Sequence, residues 1–455
     1  MNIHFIAIGG SAMHNLAIAL QKKGYTITGS DDEVFEPSKS RLARFNLLPS
    51  RVGWDEANIH EGLDAVILGM HAKADNPELL KAQKLGLRIF SYPEFLYEQS
   101  KDKTRVVIGG SHGKTTITAM ILHVVRDNGL DCDYIVGAQL EGYDVMVKLS
   151  ENARFMILEG DEYLTSPIDR RPKFHLYKPD IALLSGIAWD HINVFPTFEN
   201  YVEQFTAFIR LISPGGTLIW CNEDDELRKI SQAARPDIRK TPYSFPDYEV
   251  NEGITRIRYK DQEFPLQIFG RHNLLNLNGS RLVCNALGIT DEQFYTSIQR
   301  FKGASNRLER IAGNDDTLVF KDFAHSPSKL MATINAVKEQ YPGKQLVACM
   351  ELHTFSSLSP EFLDHYKGCM DAADRAMVYF NPHAIQLKRL PPISDQQVKE
   401  GFANDKIEVF TDSSQLKQTL MQESWHQKNL LMMSSGDFDG LDLEELAEKI
   451  VTRDA

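Results

Sequence analysis

The run Gly110-Ser111-His112-Gly113-Lys114-Thr115-Thr116 joins two glycines, a lysine and three hydroxyls in seven residues. It follows the β-rich stretch TRVVIGG and opens a segment in which Ile117, Met120, Ile121, Val124 and Val125 recur at helical spacing. Asn128-Gly129 then supplies a stop signal. Strand, glycine turn, Lys-Thr and helix form the context in which backbone N–H groups at a helix N-terminus face a phosphate. In that context Lys114 reaches the β- and γ-phosphates of ATP and the Thr115 hydroxyl ligates Mg2+. Ile108 stands where the common GxxxxGK[ST] pattern has its first glycine. The plainer alternative is a strand–helix turn with a lysine on its first turn.

Further candidates lie downstream. FMILEGDEY ends an apolar run with Glu159, Asp161 and Glu162, and a carboxylate at the end of a central strand beside a phosphate loop is where Mg2+ is held. Asp190-His191 follows another apolar run, LLSG. In FGRHNLLNLNGS, His272, Asn273 and Asn276 gather where a helix begins, suited either to capping or to hydrogen bonds with adenine or ribose. VFKDFAHSPSKL places Asp322 and His325 after a strand, and SNRLER places Arg307 where an arginine could reach a γ-phosphate on domain closure. A second turn, IHFIAIGGSAM, lacks the full GxGxxG but has Asp31 22 residues after Gly9, near the ribose-binding position of a nicotinamide dinucleotide fold.

These residues need a scaffold, and the alternation of apolar runs with helical patterns describes one. IHFIAI, TITGS and AVILGM read as strands of a helix-covered parallel sheet. RVVIGG, RFMILEG and DIALLSG form a second set, and TLVFKDF, QLVACMEL, AMVYF, KIEVF and NLLMMSS a third. Thr255–Phe269 alternates around a charged turn as an antiparallel hairpin does. The 455 residues allow about three domains, with limits expected at 1–98, 99–303 and 304–455. Composition is that of ordinary globular chains, with 42% hydrophobic and 25% charged residues.

The formal charge of −12, without a polybasic tail, argues against nucleic acid or an anionic membrane as partner. The five dispersed cysteines suit a reducing compartment. With no leader pattern and no apolar run near the roughly 18 residues of a membrane span, a cytoplasmic location is expected.

Taken in order, GGSAM, GSD, GSHGKTT, EGDEY, DH, GRHNLLN, NRLER and DFAHSP resemble the motifs of the Mur ligase family, the ATP-dependent amide ligases of peptidoglycan metabolism. The resemblance implies a three-domain α/β architecture: a Rossmann-like N-terminal domain for a UDP-sugar, a central P-loop ATPase domain, and a Rossmann-like C-terminal domain for the incoming amine. It implies that Gly10 and Ser11 face the diphosphate and Ser30 and Asp31 the uridine, with Met13, His71 and Arg171 also on the sugar-nucleotide side. Gly110 to Thr116 would hold the phosphates, and Thr115, Glu159 and His191 the Mg2+. Arg307 would stabilise the transferring group. His272, Asn273, Asn276 and Asp322 would lie toward the nucleoside, and His325 near the reacting centre.

One departure narrows the branch. Many members carry a carbamylated lysine about fifteen positions after the Asp of DH, where this chain has Phe205. That points to the branch acting on the lactyl carboxylate of UDP-N-acetylmuramate, with either L-alanine or the tripeptide L-Ala-γ-D-Glu-meso-diaminopimelate as acceptor. VFEPSKS, DEYLTSPIDRRPKF and MMSSGDFDGL look more like the tripeptide-adding members, and HTFSS stands where alanine-adding members usually have a His-Arg-Tyr loop, a loss that bears on the acceptor contacts of either. A monomer or homodimer is expected. The rival readings are L-alanine addition, a non-catalytic nucleotide-binding regulator and, from the N-terminal turn alone, a nicotinamide oxidoreductase.

Overall fold

A computed structural model describes the chain apart from residues 141, 144, 190–193, 305, 454 and 455. Its described part clusters into two compact units, Met1–Phe245 with Leu275–Ile298, and Pro246–Leu274 with Gln299–Ala455.

The first unit contains two sheets. Thr26–Ser30, Asn2–Ile6, Ala65–Leu68 and Ile89–Ser91 lie in that order in a fully parallel sheet. Ala65–Leu68 is buried at every position, as expected of a strand covered on both faces. The seven-stranded sheet runs Arg239–Tyr243, Thr217–Cys221, Ile181–Leu184, Thr104–Gly109, Phe155–Glu159, Cys132–Ile135 and Val147–Lys148. All its pairings are parallel except the last. Thr104–Gly109 is therefore central, and the register Ile108↔Glu159 and Gly109↔Leu184 brings three strand ends together. Loops leaving the carboxyl ends of such strands are where open α/β sheets bind ligands.

Arg105 anchors the entry to this central strand. Nearly buried, its guanidinium donates to the carbonyls of Ser100, Lys101, Lys103, Tyr177 and Lys178 and pairs with Asp180. It thereby gathers the end of the helix Tyr92–Ser100, the following turn and the segment before Ile181.

The second unit is built on a six-stranded sheet ordered Glu309–Gly313, Leu318–Asp322, Lys428–Met433, Gln345–Leu352, Arg375–Phe380 and Glu408–Phe410. Only its first pairing is antiparallel. Period-2 alternation divides its core. Leu346, Ala348, Met350 and Leu352 pack on one face with Leu431 and Met433, while Val347 and Cys349 pack on the other with Leu430 and Met432. The expected hairpin is Ile254–Tyr259 paired with Gln262–Leu266, with Lys260 at φ +54° in the turn. An unforeseen strand, Tyr248–Asn251, pairs on its other side. Pro265 lies on an edge strand, where its missing N–H costs little.

All five cysteines are free and buried. No helix among the described residues is long and apolar enough to cross a membrane.

Replacing Arg105 by alanine strands several buried carbonyls. Arg105→Ala is expected to destabilise the first unit by about 3 kcal/mol or more, read as a lower urea midpoint. A shift equivalent to under about 1 kcal/mol would contradict the anchoring role.

Candidate active site

The helix Lys114–Asp127 begins at Gly113, whose φ of +80° is left-handed. A Cβ there would overlap Asn276 Oδ1, so both conformation and space demand glycine. Gly110, at φ +126°, has the same double constraint against Ser185 Oγ. The first turn of the helix carries no acidic side chain, so its positive end is available to an anion.

Lys114 Nζ donates to the Gly110 carbonyl at 2.7 Å and to Glu162 Oε2 at 2.7 Å. Burial pulls the lysine down, but the carboxylates of Glu162, Asp161 and Glu159 outweigh it and hold Lys114 above its ordinary value, hence charged at neutral pH. The Thr115 hydroxyl donates to Glu159 Oε1 at 2.6 Å, and the Gly137 N–H donates to Oε2 at 2.6 Å. A hydroxyl and a carboxylate side by side are hard oxygen donors that suit Mg2+. Asp161 pairs with Lys173 at 2.6 Å; burial opposes its ionisation, yet Lys173 and Lys114 keep it below the usual carboxylate range.

The remaining loop residues are fixed from neighbouring elements. His112 Nδ1 lies 2.8 Å from the Ser111 carbonyl, and the Ser185 hydroxyl donates to the His112 carbonyl. Thr116 is buried. The structure thus brings together Lys114, Thr115, Glu159 and Asn276 from among the expected site residues. Asp190 and His191 fall outside the described residues. Sequence reasoning missed Gly137 and Ser185: a glycine and a serine that close apolar runs carry no local signal of chemistry.

At the N-terminal turn, Asp31 Oδ2 accepts the Gly9 N–H at 2.6 Å, and its Oδ1 lies 3.0 Å from His71 Nε2. Gly10 precedes the helix Ser11–Lys22; Ser11 is exposed and Met13 buried. Ser30 is buried and its hydroxyl donates to Glu78, which also accepts the Asp55 N–H and the Asn58 side chain. Arg171 is exposed, held bidentately by Asp169 and 3.7 Å from Glu94.

In the second unit, Asp322 ends its strand and accepts the Thr333 hydroxyl at 2.5 Å. Burial lowers the His272 pKa, and the nearby Asp322 charge partly offsets this. Asn273 donates to the Phe269 carbonyl at 2.9 Å, one helical turn back. The Arg307 guanidinium lies 4.7 Å over the Phe323 ring, and the His325 ring meets the same phenyl edge-on at 5.3 Å.

The Asp31–His71 pair gives a pH test. The hydrogen bond to Asp31 raises His71 above 6.5, burial opposing it. Burial would raise Asp31, but the bonds from His71 and the Gly9 N–H outweigh it and lower it below 3.8. The histidine's contribution to stability is complete below pH 6.5 and fades as pH rises through its raised midpoint. The aspartate's is present above 3.8 and fades as pH falls through its depressed one. By NMR titration the His71 midpoint should lie above 6.5 and fall toward or below it in Asp31→Asn. A midpoint unmoved by that substitution would contradict the pairing.

Comparison with known proteins places this geometry in a lineage. The model described as Mur ligase middle domain matches residues 108–284, and that described as Mur ligase family, catalytic domain matches residues 2–104. A UDP-N-acetylmuramate–L-alanine ligase of a Sulfurihydrogenibium species is 30% identical over 383 residues, covering 83% of this chain and 82% of the relative. One of the same name from Renibacterium salmoninarum is 29% identical over 96% of this chain and 93% of the relative. Among solved structures, the UDP-N-acetylmuramate-alanine ligase of Thermotoga maritima shares the fold at TM-score 0.72 and 17% identity, over 100% of this chain and 99% of that one. A murein peptide ligase of Psychrobacter arcticus does so at TM-score 0.64 and 21% identity, over 99% and 98%. With its phosphate loop at the head of a parallel sheet and relatives matched over most of their length, the chain belongs to the Mur ligase family of ATP-dependent amide ligases.

Proposed function

We propose that the chain joins the lactyl carboxylate of UDP-N-acetylmuramate to the amine of L-Ala-γ-D-Glu-meso-diaminopimelate, with ATP as the phosphoryl donor. The observation that carries the ligase chemistry is the placement of Lys114, Thr115 and Glu159 at adjoining strand ends, with Glu162 beside the lysine. The N-terminal region 1–98 would hold the sugar nucleotide through Gly10, Ser11, Asp31 and His71, region 99–303 the ATP, and region 304–455 the peptide.

A carboxylate oxygen of the substrate attacks the γ-phosphorus, the bond to the β-bridging oxygen breaks, and ADP leaves an acyl phosphate. The amine then attacks the carbonyl carbon, the C–O bond breaks, inorganic phosphate departs, and the surplus amine proton passes to solvent. Lys114 and the helix N-terminus neutralise charge on the phosphates during the first step. Thr115 and Glu159, with His191 by sequence, would hold Mg2+, which when bound supplies charge neutralisation on the phosphate oxygens. Arg307 and His325 are assigned to the transferring group and the reacting centre.

Support for the tripeptide comes from the residues of two segments, which look more like those of tripeptide-adding than of alanine-adding members. DEYLTSPIDRRPKF folds as a closed loop, with Leu164 bridged to Pro172 and the Thr165 N–H donating to the Arg171 carbonyl. In SSGDFDG, the Ser434 hydroxyl and the Phe438 N–H both donate to buried Glu351, which also faces His353 at 3.5 Å. L-alanine is the second reading, favoured by the names of the curated relatives at 28–30% identity.

Phosphate release should be measured with ATP, Mg2+, UDP-N-acetylmuramate and either acceptor, with product masses. Release and a matching mass gain are expected with the tripeptide alone. Release with L-alanine alone would transfer the assignment to the second reading, and release with neither would overturn both. Lys114→Ala should lower kcat/KM for ATP by about a hundredfold or more.

A further inference from the structure

Tyr201 lies on the helix Phe198–Arg210 and is completely buried. Its ring packs edge-on against Phe205 at 5.2 Å and tilted against Phe195 at 5.4 Å. In that apolar setting a phenylalanine would fill the same volume, so the hydroxyl needs a reason of its own. It meets Ser111 Oγ at 2.9 Å and Glu162 Oε1 at 3.2 Å.

The donor order follows from chemistry. A carboxylate facing an ammonium accepts only, so Tyr201 donates to Glu162 and uses a lone pair for the Ser111 hydroxyl. Ser111 Oγ in turn accepts the Ala188 N–H at 2.8 Å. Glu162 gives its other oxygen to Lys114. One chain of hydrogen bonds therefore runs from the loop after Ile181–Leu184, through the phosphate loop and the helix, to the lysine's counter-ion. Every side chain between Ala188 and Lys114 is at least nine-tenths buried: Ser111 is 5% exposed, Tyr201 0% and Glu162 1%. Water is thus kept from substituting for the tyrosine.

We propose that Tyr201 is a positioning residue for ATP: its hydroxyl fixes the Glu162 carboxylate that aims the Lys114 ammonium, and ties that aim to Ser111 of the loop. The inference rests on the reading that Lys114 contacts the phosphates. It acts through Glu162 and involves no contact between Tyr201 and nucleotide.

The test compares Tyr201→Phe, Lys114→Ala and Phe208→Leu with the parent. It uses steady-state kinetics with the acceptor that supports turnover, and calorimetric binding of a non-hydrolysable ATP analogue, which needs no acceptor. Tyr201→Phe should raise the ATP KM and the analogue Kd about fivefold or more, the usual weight of one buried hydrogen bond. Its kcat should stay within about twofold of the parent and its KM for the sugar nucleotide should not change. Phe208→Leu, a packing control on the same helix whose ring stacks on Phe174, should lower the thermal midpoint and leave ATP affinity alone. If Tyr201→Phe keeps ATP affinity within about twofold of the parent, or weakens both nucleotide substrates together, the positioning role is overturned. If Lys114→Ala binds the analogue as the parent does, the phosphate-loop reading fails first.

Discussion

An ammonium group largely withdrawn from water at the end of a parallel sheet is stable only if carboxylates and carbonyls replace its hydration. Lys114 meets that condition through Glu162 and the Gly110 carbonyl, with Glu159 and Asp161 adding to the field. These three acids lie on a strand and turn more than forty residues downstream, and reach the lysine because Phe155–Glu159 pairs in register with Thr104–Gly109. Sheet register, glycine geometry and the packing of Tyr201 all serve to hold that one charge where an anion can approach it.

The two glycine-rich turns of the first unit look alike in sequence and differ physically. At the N-terminal turn a carboxylate of the chain itself, Asp31, already occupies the Gly9 N–H and is in turn braced by His71. Neither of the helices that follow carries an acid on its first turn, and at the phosphate loop the nearby acids are engaged with Lys114, Thr115 and Lys173. The first turn therefore has one N–H already taken by an acid of the chain, and the second carries a lysine set among its acids.

Much of the scaffold was legible because its strands are short apolar runs ending in glycine or acid, and because Ile117, Met120, Ile121, Val124 and Val125 mark one helix face. The strands of the second unit were equally visible, since burial on both sheet faces leaves continuous apolar runs such as Gln345–Leu352. Elements without such contrast escaped notice. Tyr248–Asn251 and Glu309–Gly313 are half-exposed edge strands, recognisable only from their neighbours. Asn273 and Asn276 looked alike on paper. The fold turns one back to the Phe269 carbonyl just ahead of its helix and sets the other against Gly113.

By itself the sequence determined the chemistry on offer: a lysine and a threonine after a glycine turn, acids after an apolar strand, and an ordered set of motifs that names the family. Those are local features, fixed by residue type and spacing. Tertiary structure alone decided which acid meets which base, because partners 44 to 90 positions apart, Thr115 with Glu159, Lys114 with Glu162 and Ser111 with Tyr201, are joined by sheet register and helix packing. Hydrogen bonds act over about 3 Å, and no spacing along the chain encodes which distant atoms will come within it.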